Sequence, residues 1–188
     1  MTVLRLAAAA VAAAFLPAAA LAAPAWTVDH AASRVGFASS FGGEAFQGAF
    51  ARWSADIRFD PKDLAGSSVT ATIDTASAAS GDKDRDQAIP SADFLDAARY
   101  RSATFVARQF RDLGGGRYEA IGVLTMRGVA KPLTLPFTLA ITGRTAKMTA
   151  NVALNRLAFG VGQGQWRNVE TIPAAVTVTI ALTATRTP

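Results

Sequence analysis

Apolar side chains recur at every second position along most of this chain, rather than at every third or fourth. The alternation is clearest in segments 69–74, 133–142 and 176–183, where Val, Ile, Leu and Phe alternate mostly with Thr. A period of two is typical of a strand with one buried face. Less regular alternation predicts further strands in these segments: 35–41, 53–59, 103–108, 118–126 and 148–154.

Turn-forming residues separate the predicted strands. They lie at Gly42-Gly43, Asp60-Pro61, Gly114–Gly116, Arg127–Pro132 and Gly143, which predicts antiparallel hairpins. In "GVLTMRGVAKPL" the glycine after the arginine can take a positive φ, and the Lys-Pro pair precedes the next apolar run. We therefore expect the chain to reverse between the methionine and the second leucine, with the proline where the next strand begins.

The segment from 81 to 100, "GDKDRDQAIPSADFLDAARY", departs from the strand pattern. Charged residues crowd its start, Pro90-Ser91 is a suitable helix start, and Phe94, Leu95 and Ala98 form a short helical stripe. The pattern predicts one or two short helices on a long connection. Such a connection serves as a lid over a site or as a plug in one end of the sheet.

About eight strands with one apolar face each can close into a barrel or pack as a sandwich. A barrel suits these Thr-rich strands better because closure removes exposed edges. The interior of an eight-stranded barrel holds either packed side chains or one small ligand. Small residues beside large ones, such as Ala71 and Ala120 beside Phe105, leave space for a ligand, but Ala can also complement Phe in a filled core.

The first residues predict an export signal. Arg5 precedes an Ala-rich apolar run from Leu6 to Leu16, Pro17 ends the run, and Ala20-Leu21-Ala22 fits the small-residue cleavage rule. The alternative is a membrane anchor, but the run is shorter than the roughly 20 residues that a spanning helix needs. We expect residues 1–22 to be a cleaved signal peptide and residues 23–188 to be a single periplasmic domain.

Composition excludes several classes of function. The chain has no Cys, one His and a formal net charge of +5, which excludes thiolate chemistry and gives little support for nucleic-acid binding. No nucleophile, phosphate-loop or two-His metal motif is present. Asp82, Asp84 and Asp86 have the spacing of a calcium loop without its Gly and Glu. We therefore expect no enzyme activity, no metal and no cofactor.

An ordered series of motifs resembles the YceI-like family of bacterial polyisoprenoid-binding proteins. The most recognisable member is "GVLTMRGVAKPL" at 122–133, and the series covers essentially all of residues 23–188. The other matching stretches are "WTVDHAASRVGF" at 26–37, "IRFDP" at 57–61, "TID" at 72–74, Arg85-Asp86, "DFLD" at 93–96 and "NRLAFGVG" at 155–162.

This resemblance implies an all-β, extended antiparallel lipocalin-like barrel with one or two short helices in the 81–100 connection. It favours a ligand cavity over a filled core, and it implies an apolar lipid as the partner, either a polyisoprenoid or a quinone. Transient membrane contact and a homodimer stay open. The candidate ligand-binding residues are Phe37, Phe41, Phe46, Phe94, Phe105, Leu124, Met126, Leu135, Phe137, Phe159 and Arg127.

The chain departs from the family pattern where Phe41 and Ala88 replace common His residues and Arg101 replaces a Pro. The loss of the two His side chains implies a more apolar pocket. The tail "GVGQGQWRNVETIPAAV" at 160–176 is similar to a subgroup linked to quinones and diheme cytochrome b partners. Two alternatives to a lipid carrier therefore remain: a quinone-binding accessory protein of a membrane cytochrome b system, and a stress-response structural domain without catalysis.

Overall fold

A computed structural model describes residues 23–188, and the predicted signal peptide lies outside the described residues. All strand pairs in this part of the chain are antiparallel and belong to one sheet. The strands are β1 Ala25–Val28, β2 Arg34–Phe41, β3 Glu44–Phe50, β4 Trp53–Arg58, β5 Ser68–Asp74, β6 Ala78–Ala79, β7 Ser102–Gly114, β8 Arg117–Met126, β9 Val129–Thr142, β10 Thr145–Asn155 and β11 Ala175–Arg186.

The sheet closes on itself as a barrel of eight strands. β1 and β2 act as two halves of one staggered strand, because both pair with β11: Trp26 lies opposite Arg186, and Val35 lies opposite Ile180. β3 and β4 continue each other in the same way, since β3 pairs with β2 and β4 pairs with β1 and β5. The prediction of an all-β antiparallel barrel is confirmed.

The alternating pattern determines which side chains enter the barrel. Val69, Ala71 and Ile73 of β5 face the interior, whereas Thr70 between them is exposed. β9 from Leu133 onward and β11 behave likewise, with their Leu, Phe, Ile and Val residues directed inward. The period-two segments therefore form the barrel wall, with the apolar face inside.

The two ends of the barrel are built differently. At the lower end lie the loop 59–67 and the tight turns at 115–116 and 143–144. The long connections 75–101 and 156–174 both lie at the opposite, upper end, together with the short turn at 127–128. They carry the short helix α1, Lys83–Ala88, and three 3-10 helices: Thr75–Ser77, Arg156–Phe159 and Gly164–Arg167.

The helix in the first long connection starts earlier than Pro90-Ser91, so that part of the prediction is wrong. α1 ends at Ala88, and its N-cap is Asp82, whose side chain accepts a hydrogen bond from the Arg85 backbone N–H. The residues after Pro90 form turns instead, and Asp96 adopts a positive φ of 49°. The strong cap and this left-handed residue outweigh the weak apolar stripe.

The 126–133 hairpin is also tighter than predicted. Arg127 and Gly128 alone form its turn, with φ values of 51° and 73°, as the twist of a two-residue hairpin requires. β9 therefore begins at Val129, and Pro132 lies inside it, opposite Val123. β10 pairs with β9 only from Phe137 onward, so the missing proline N–H removes no bond to β10.

Candidate ligand-binding cavity

A continuous apolar cavity of about 610 Å³ occupies the barrel. Its size falls within the range of roughly 300–1,000 Å³ that is typical of small-molecule sites. Inward side chains from the barrel strands form its wall, and α1 and the 156–174 connection contribute to its upper end. The sequence allowed either a filled core or a ligand cavity inside the barrel, and the structure contains the cavity.

Most of the candidate ligand-binding residues line this cavity. They come from five strands and from the turns after α1, so the fold brings together positions that are far apart in sequence. Whether they contact a ligand stays a prediction. The lining candidates are Phe37, Phe41, Phe46, Phe94, Phe105, Leu124, Met126, Leu135 and Phe137.

Phe159 and Arg127 lie outside the cavity lining. Phe159 is buried in a cluster with Leu95 and Ala150, so it packs the wall. Arg127 lies in the hairpin turn, and its Nη1 donates to the backbone oxygens of Ala92 and Phe94 at 2.8 and 3.1 Å. These bonds hold the segment after α1 against the hairpin. Because Nη1 donates to two backbone oxygens, it has no N–H left for a ligand in the cavity.

Several lining residues were not among the candidates. Trp53 and Ile57 alternate correctly in β4, so the periodicity could have identified them. Trp166 and Ile172 lie in the irregular 156–174 connection, where no repeating pattern marks an inward position. Lining residues in an irregular connection can be identified only from the three-dimensional structure, in which the connection folds over the upper end of the barrel.

Packed aromatic rings close the lower end of the cavity. We call Trp26, Phe59, Phe110, Tyr118 and Phe137 the aromatic base. The Phe59 ring lies 5.3 to 5.9 Å from the rings of Phe110, Tyr118 and Phe137. The Trp26 indole N–H donates to the Phe59 carbonyl at 2.9 Å, and burial raises the pKa of the Tyr118 phenol.

Aromatic side chains also meet at the upper end, but they are more exposed. The Trp166 ring lies 5.6 Å from the Phe94 ring and 6.2 Å from the Phe41 ring. Phe41 is 47% exposed, whereas Phe59 in the aromatic base is 5% exposed. The upper end is therefore the side on which the lining residues reach solvent.

A hydrogen-bonded carboxylate attaches α1 to the barrel. Asp86 accepts bonds from the Ser80 backbone N–H at 2.6 Å and from the Ser80 hydroxyl at 2.7 Å. These bonds to Ser80 hold the pKa of the Asp86 carboxyl below its usual value. The charged form of Asp86 therefore stabilises the position of the helix over the cavity.

A buried arginine fastens the second long connection. Arg156 is 3% exposed, and its guanidinium donates to the backbone oxygens of Val161, Ile172 and Pro173 at 2.7 to 2.9 Å. No carboxylate forms an ion pair with it within residues 23–188. Burial lowers its pKa. The residue joins both ends of the connection and also lines the cavity.

The described part of the chain, residues 23–188, contains no group of three or more His, Asp or Glu side chains placed to hold a metal ion. Asp82 and Asp86, from the calcium-like spacing, instead cap α1 and bind Ser80. In the same range, no helix has the length and apolar character needed to cross a membrane.

A closed antiparallel barrel around an apolar cavity defines the class of small-ligand-binding barrels. The model of the YceI-like domain matches residues 26–184, and the chain therefore belongs to the YceI-like family. The resemblance inferred from the motifs is confirmed, and the match covers the barrel from its first strand to within two residues of the end of β11.

Individual relatives agree with this assignment. Crystalline BcnA of Burkholderia cenocepacia is 36% identical, with a TM-score of 0.81 over 84% of this chain and 99% of that one. A polyisoprenoid binding domain from Saccharophagus degradans, implicated in plant cell wall breakdown, shares the fold at 18% identity, with a TM-score of 0.69 over 87% of this chain and 99% of that chain.

The chain spans about half the length of the curated relatives it matches. A UPF0312 protein of Vibrio parahaemolyticus is 40% identical over 97 residues, which make up 52% of this chain and 51% of that protein. A UPF0312 protein of Vibrio vulnificus is 37% identical over a segment of the same length.

Proposed function

We propose that this protein is a periplasmic, non-catalytic carrier that holds an isoprenoid-type lipid inside its barrel. The continuous apolar cavity of about 610 Å³ is the observation that carries the proposal. The polyisoprenoid-binding description of the Saccharophagus domain, which has the same fold, supports the ligand class. The export signal expected at residues 1–22 supports the periplasmic location.

The physical chemistry of transfer supports a carrier of this kind. Each CH₂ removed from water gains roughly 0.8 kcal/mol, so a prenyl chain does not cross an aqueous compartment unaided. A membrane offers the chain nearly the same environment as the cavity. The aromatic base closes one end, and the more exposed upper end provides the entry, where transient contact with a lipid surface would let the chain pass.

Mass spectrometry of organic extracts from the purified protein tests the proposal. A co-purified prenyl lipid is the expected result. A quinone would favour the alternative of an accessory protein for a membrane cytochrome b system. An extract without lipid, together with no uptake of added prenyl lipid, would favour the structural-domain alternative and overturn the carrier.

A cavity-filling variant gives a second test. Ala71 of β5 lines the cavity, so Ala71→Phe should occupy ligand space at a cost of about 1–3 kcal/mol. We expect it to abolish uptake of a fluorescent apolar probe. Ala153→Phe is the matched control, because Ala153 is exposed on β10 and the same change there leaves the cavity intact. Equal uptake by both variants would contradict a ligand site inside the barrel.

A further inference from the structure

One polar side chain interrupts the apolar inner face of β2. Ser39 lies between Phe37 and Phe41 on the face that lines the cavity. Its Oγ is shielded from solvent and has no hydrogen-bond partner among residues 23–188. The great majority of buried polar side-chain atoms in proteins are hydrogen-bonded, so an unpaired hydroxyl on a cavity wall marks a place for a polar ligand atom.

A cation lies over the aromatic ring that is opposite Ser39. Ser39 is directly opposite Phe46 in the β2–β3 pair, so their side chains share the inner face at a Cβ separation of roughly 5 Å. The Arg85 guanidinium of α1 lies 4.3 Å from the centre of the Phe46 ring, and Arg85 also lines the cavity. The hydroxyl and the guanidinium therefore approach the same ring at the upper end of the cavity.

The charges around Arg85 discriminate between kinds of ligand. Its Nε donates to the Ser80 hydroxyl at 2.9 Å, and its Nη2 lies 3.7 Å from Asp82. Asp82 and Asp84 both line this end of the cavity. A diphosphate would bring further negative charge beside two carboxylates, whereas an uncharged oxygen accepts a hydrogen bond from Arg85 or Ser39 without that repulsion.

We propose that Ser39, Phe46 and Arg85 form a head-group subsite for an isoprenoid that carries an uncharged, hydrogen-bonding oxygen at one end. The hydroxyl of a prenyl alcohol and the carbonyl of a prenyl quinone share this chemistry. The oxygen lies at the subsite, and the apolar chain points toward the aromatic base. This assignment rests on the proposed carrier function and adds the orientation and the head-group class.

Three ligands with the same 15-carbon chain test the subsite: farnesene, farnesol and farnesyl diphosphate. Their affinities are measured by displacement of the neutral dye N-phenyl-1-naphthylamine from the mature protein. We expect wild type to bind farnesol more tightly than the diphosphate. Ser39→Ala should weaken farnesol about threefold to tenfold, as loss of one hydrogen bond predicts, and should leave farnesene unchanged or bound more tightly.

Arg85 is tested in the same assay. Arg85→Gln keeps a side chain that can donate a hydrogen bond, whereas Arg85→Met keeps only the apolar length. We expect the Met variant to lose more farnesol affinity than the Gln variant, with farnesene little changed. The matched controls are Ser40→Ala, next along β2 but outside the cavity lining, and Lys83→Gln on the exposed side of α1. Both controls should bind all three ligands like wild type.

Each outcome decides the matter. Equal losses for farnesol and farnesene in Ser39→Ala would show that Ser39 only packs, and tighter binding of the diphosphate would refute the uncharged class; both results overturn the subsite and leave the carrier standing. Wild type that binds none of the three ligands overturns carrier and subsite together. A short-chain ubiquinone tested beside farnesol distinguishes the two sources of the oxygen, since the subsite predicts that Ser39→Ala weakens whichever one binds.

Discussion

The lower and upper ends of the barrel are held together by different kinds of interaction. At the lower end, tight turns bring strand ends together, and the rings of Phe110, Tyr118 and Phe137 pack 5.3 to 5.9 Å from the Phe59 ring. At the upper end, two long connections are held by polar side chains, of which Arg156 bonds three backbone oxygens. The lower end is closed by packing, and the upper end is fastened by hydrogen bonds.

Because of this difference, the lower end contributes mainly to the stability of the barrel, and the upper end controls the access of ligand to the cavity. Apolar contacts in the aromatic base are lost only when the barrel itself opens, because four of its members belong to strands of the wall and Phe59 directly follows β4. The hydrogen bonds at the upper end each hold a connection rather than the wall, so they can break in local opening at a lower free energy. We therefore expect variants at the lower end to change unfolding and variants at the upper end to change ligand exchange.

The largest expected effect is loss of a ring from the aromatic base. Phe59→Ala should lower the free energy of unfolding by about 3–5 kcal/mol, because it removes a buried ring and leaves a cavity among three others. Urea denaturation of the apo protein measures the change. Leu113→Ala, at an exposed position near the lower end of β7, should change it by less than about 0.5 kcal/mol. Similar values for both variants would contradict a packed lower closure.

The next effect concerns the buried arginine of the upper end. Arg156→Met removes the donors from two buried carbonyl oxygens and one partly buried carbonyl oxygen, at a cost of roughly 1–3 kcal/mol for each group left unsatisfied. We expect the loss to appear first as faster amide exchange in 156–174 and faster ligand release, measured by hydrogen exchange and dye dissociation. Arg167→Met, at an exposed position, is the control. Uniformly faster exchange throughout the barrel would show that both ends unfold as one unit.

A smaller effect follows from the carboxylate that holds α1. The pKa of Asp86 is lowered by bonds from Ser80, so folding favours the charged form. Its stabilisation is complete above the unfolded pKa, about 3.9 for Asp, and is lost as the pH falls through the lower folded value. Asp86→Asn should therefore melt below wild type at pH 7, and the difference should shrink at pH 3.

The control for this pH dependence is Asp56→Asn. Asp56 is exposed on β4, and its carboxylate makes no hydrogen bond with side chains or backbone of residues 23–188 in the structure. We expect its melting temperature to follow that of wild type at both pH values. A difference between Asp86→Asn and wild type that grows toward low pH would mean that Ser80 favours the neutral carboxyl.

The regular wall was predictable from the sequence because every second residue of a strand must share one environment. The segment 133–142 shows this directly, since its Leu, Phe and Ile side chains all line the cavity. Ser39 carries the same kind of signal, since it occupies an inward position between Phe37 and Phe41, but the alternation of apolar residues assigns no role to a single polar residue on that face.

The positions of side chains at the upper end could not be predicted from the sequence, because they depend on contacts between distant segments of the chain. Arg127 was expected to bind ligand, but its left-handed backbone and its bonds to Ala92 and Phe94 turn it toward the neighbouring connection. Phe159 was expected at the cavity, but it packs against Leu95 from the other long connection. Neither contact has a local pattern, since each joins segments more than thirty residues apart.

The smallest expected effect is on the dependence of binding on pH and on metal ions. His30, the sole imidazole of the chain, is exposed, and its ring lies 4.6 Å from the Trp53 ring in a tilted arrangement. A hydrogen bond from Arg52 lowers the pKa of the Asp74 carboxyl, bonds from Ser80 lower the pKa of the Asp86 carboxyl, and burial raises the pKa of the Tyr118 phenol. All three pKa values therefore move away from neutrality. Because the lining is overwhelmingly apolar, farnesol affinity should change less than about twofold between pH 6 and 8, for wild type and for His30→Ala, with or without EDTA. Loss of binding on chelation would instead indicate an oxygen-ligand metal site near Asp82 and Asp84, and it would move an enzymatic role ahead of the carrier.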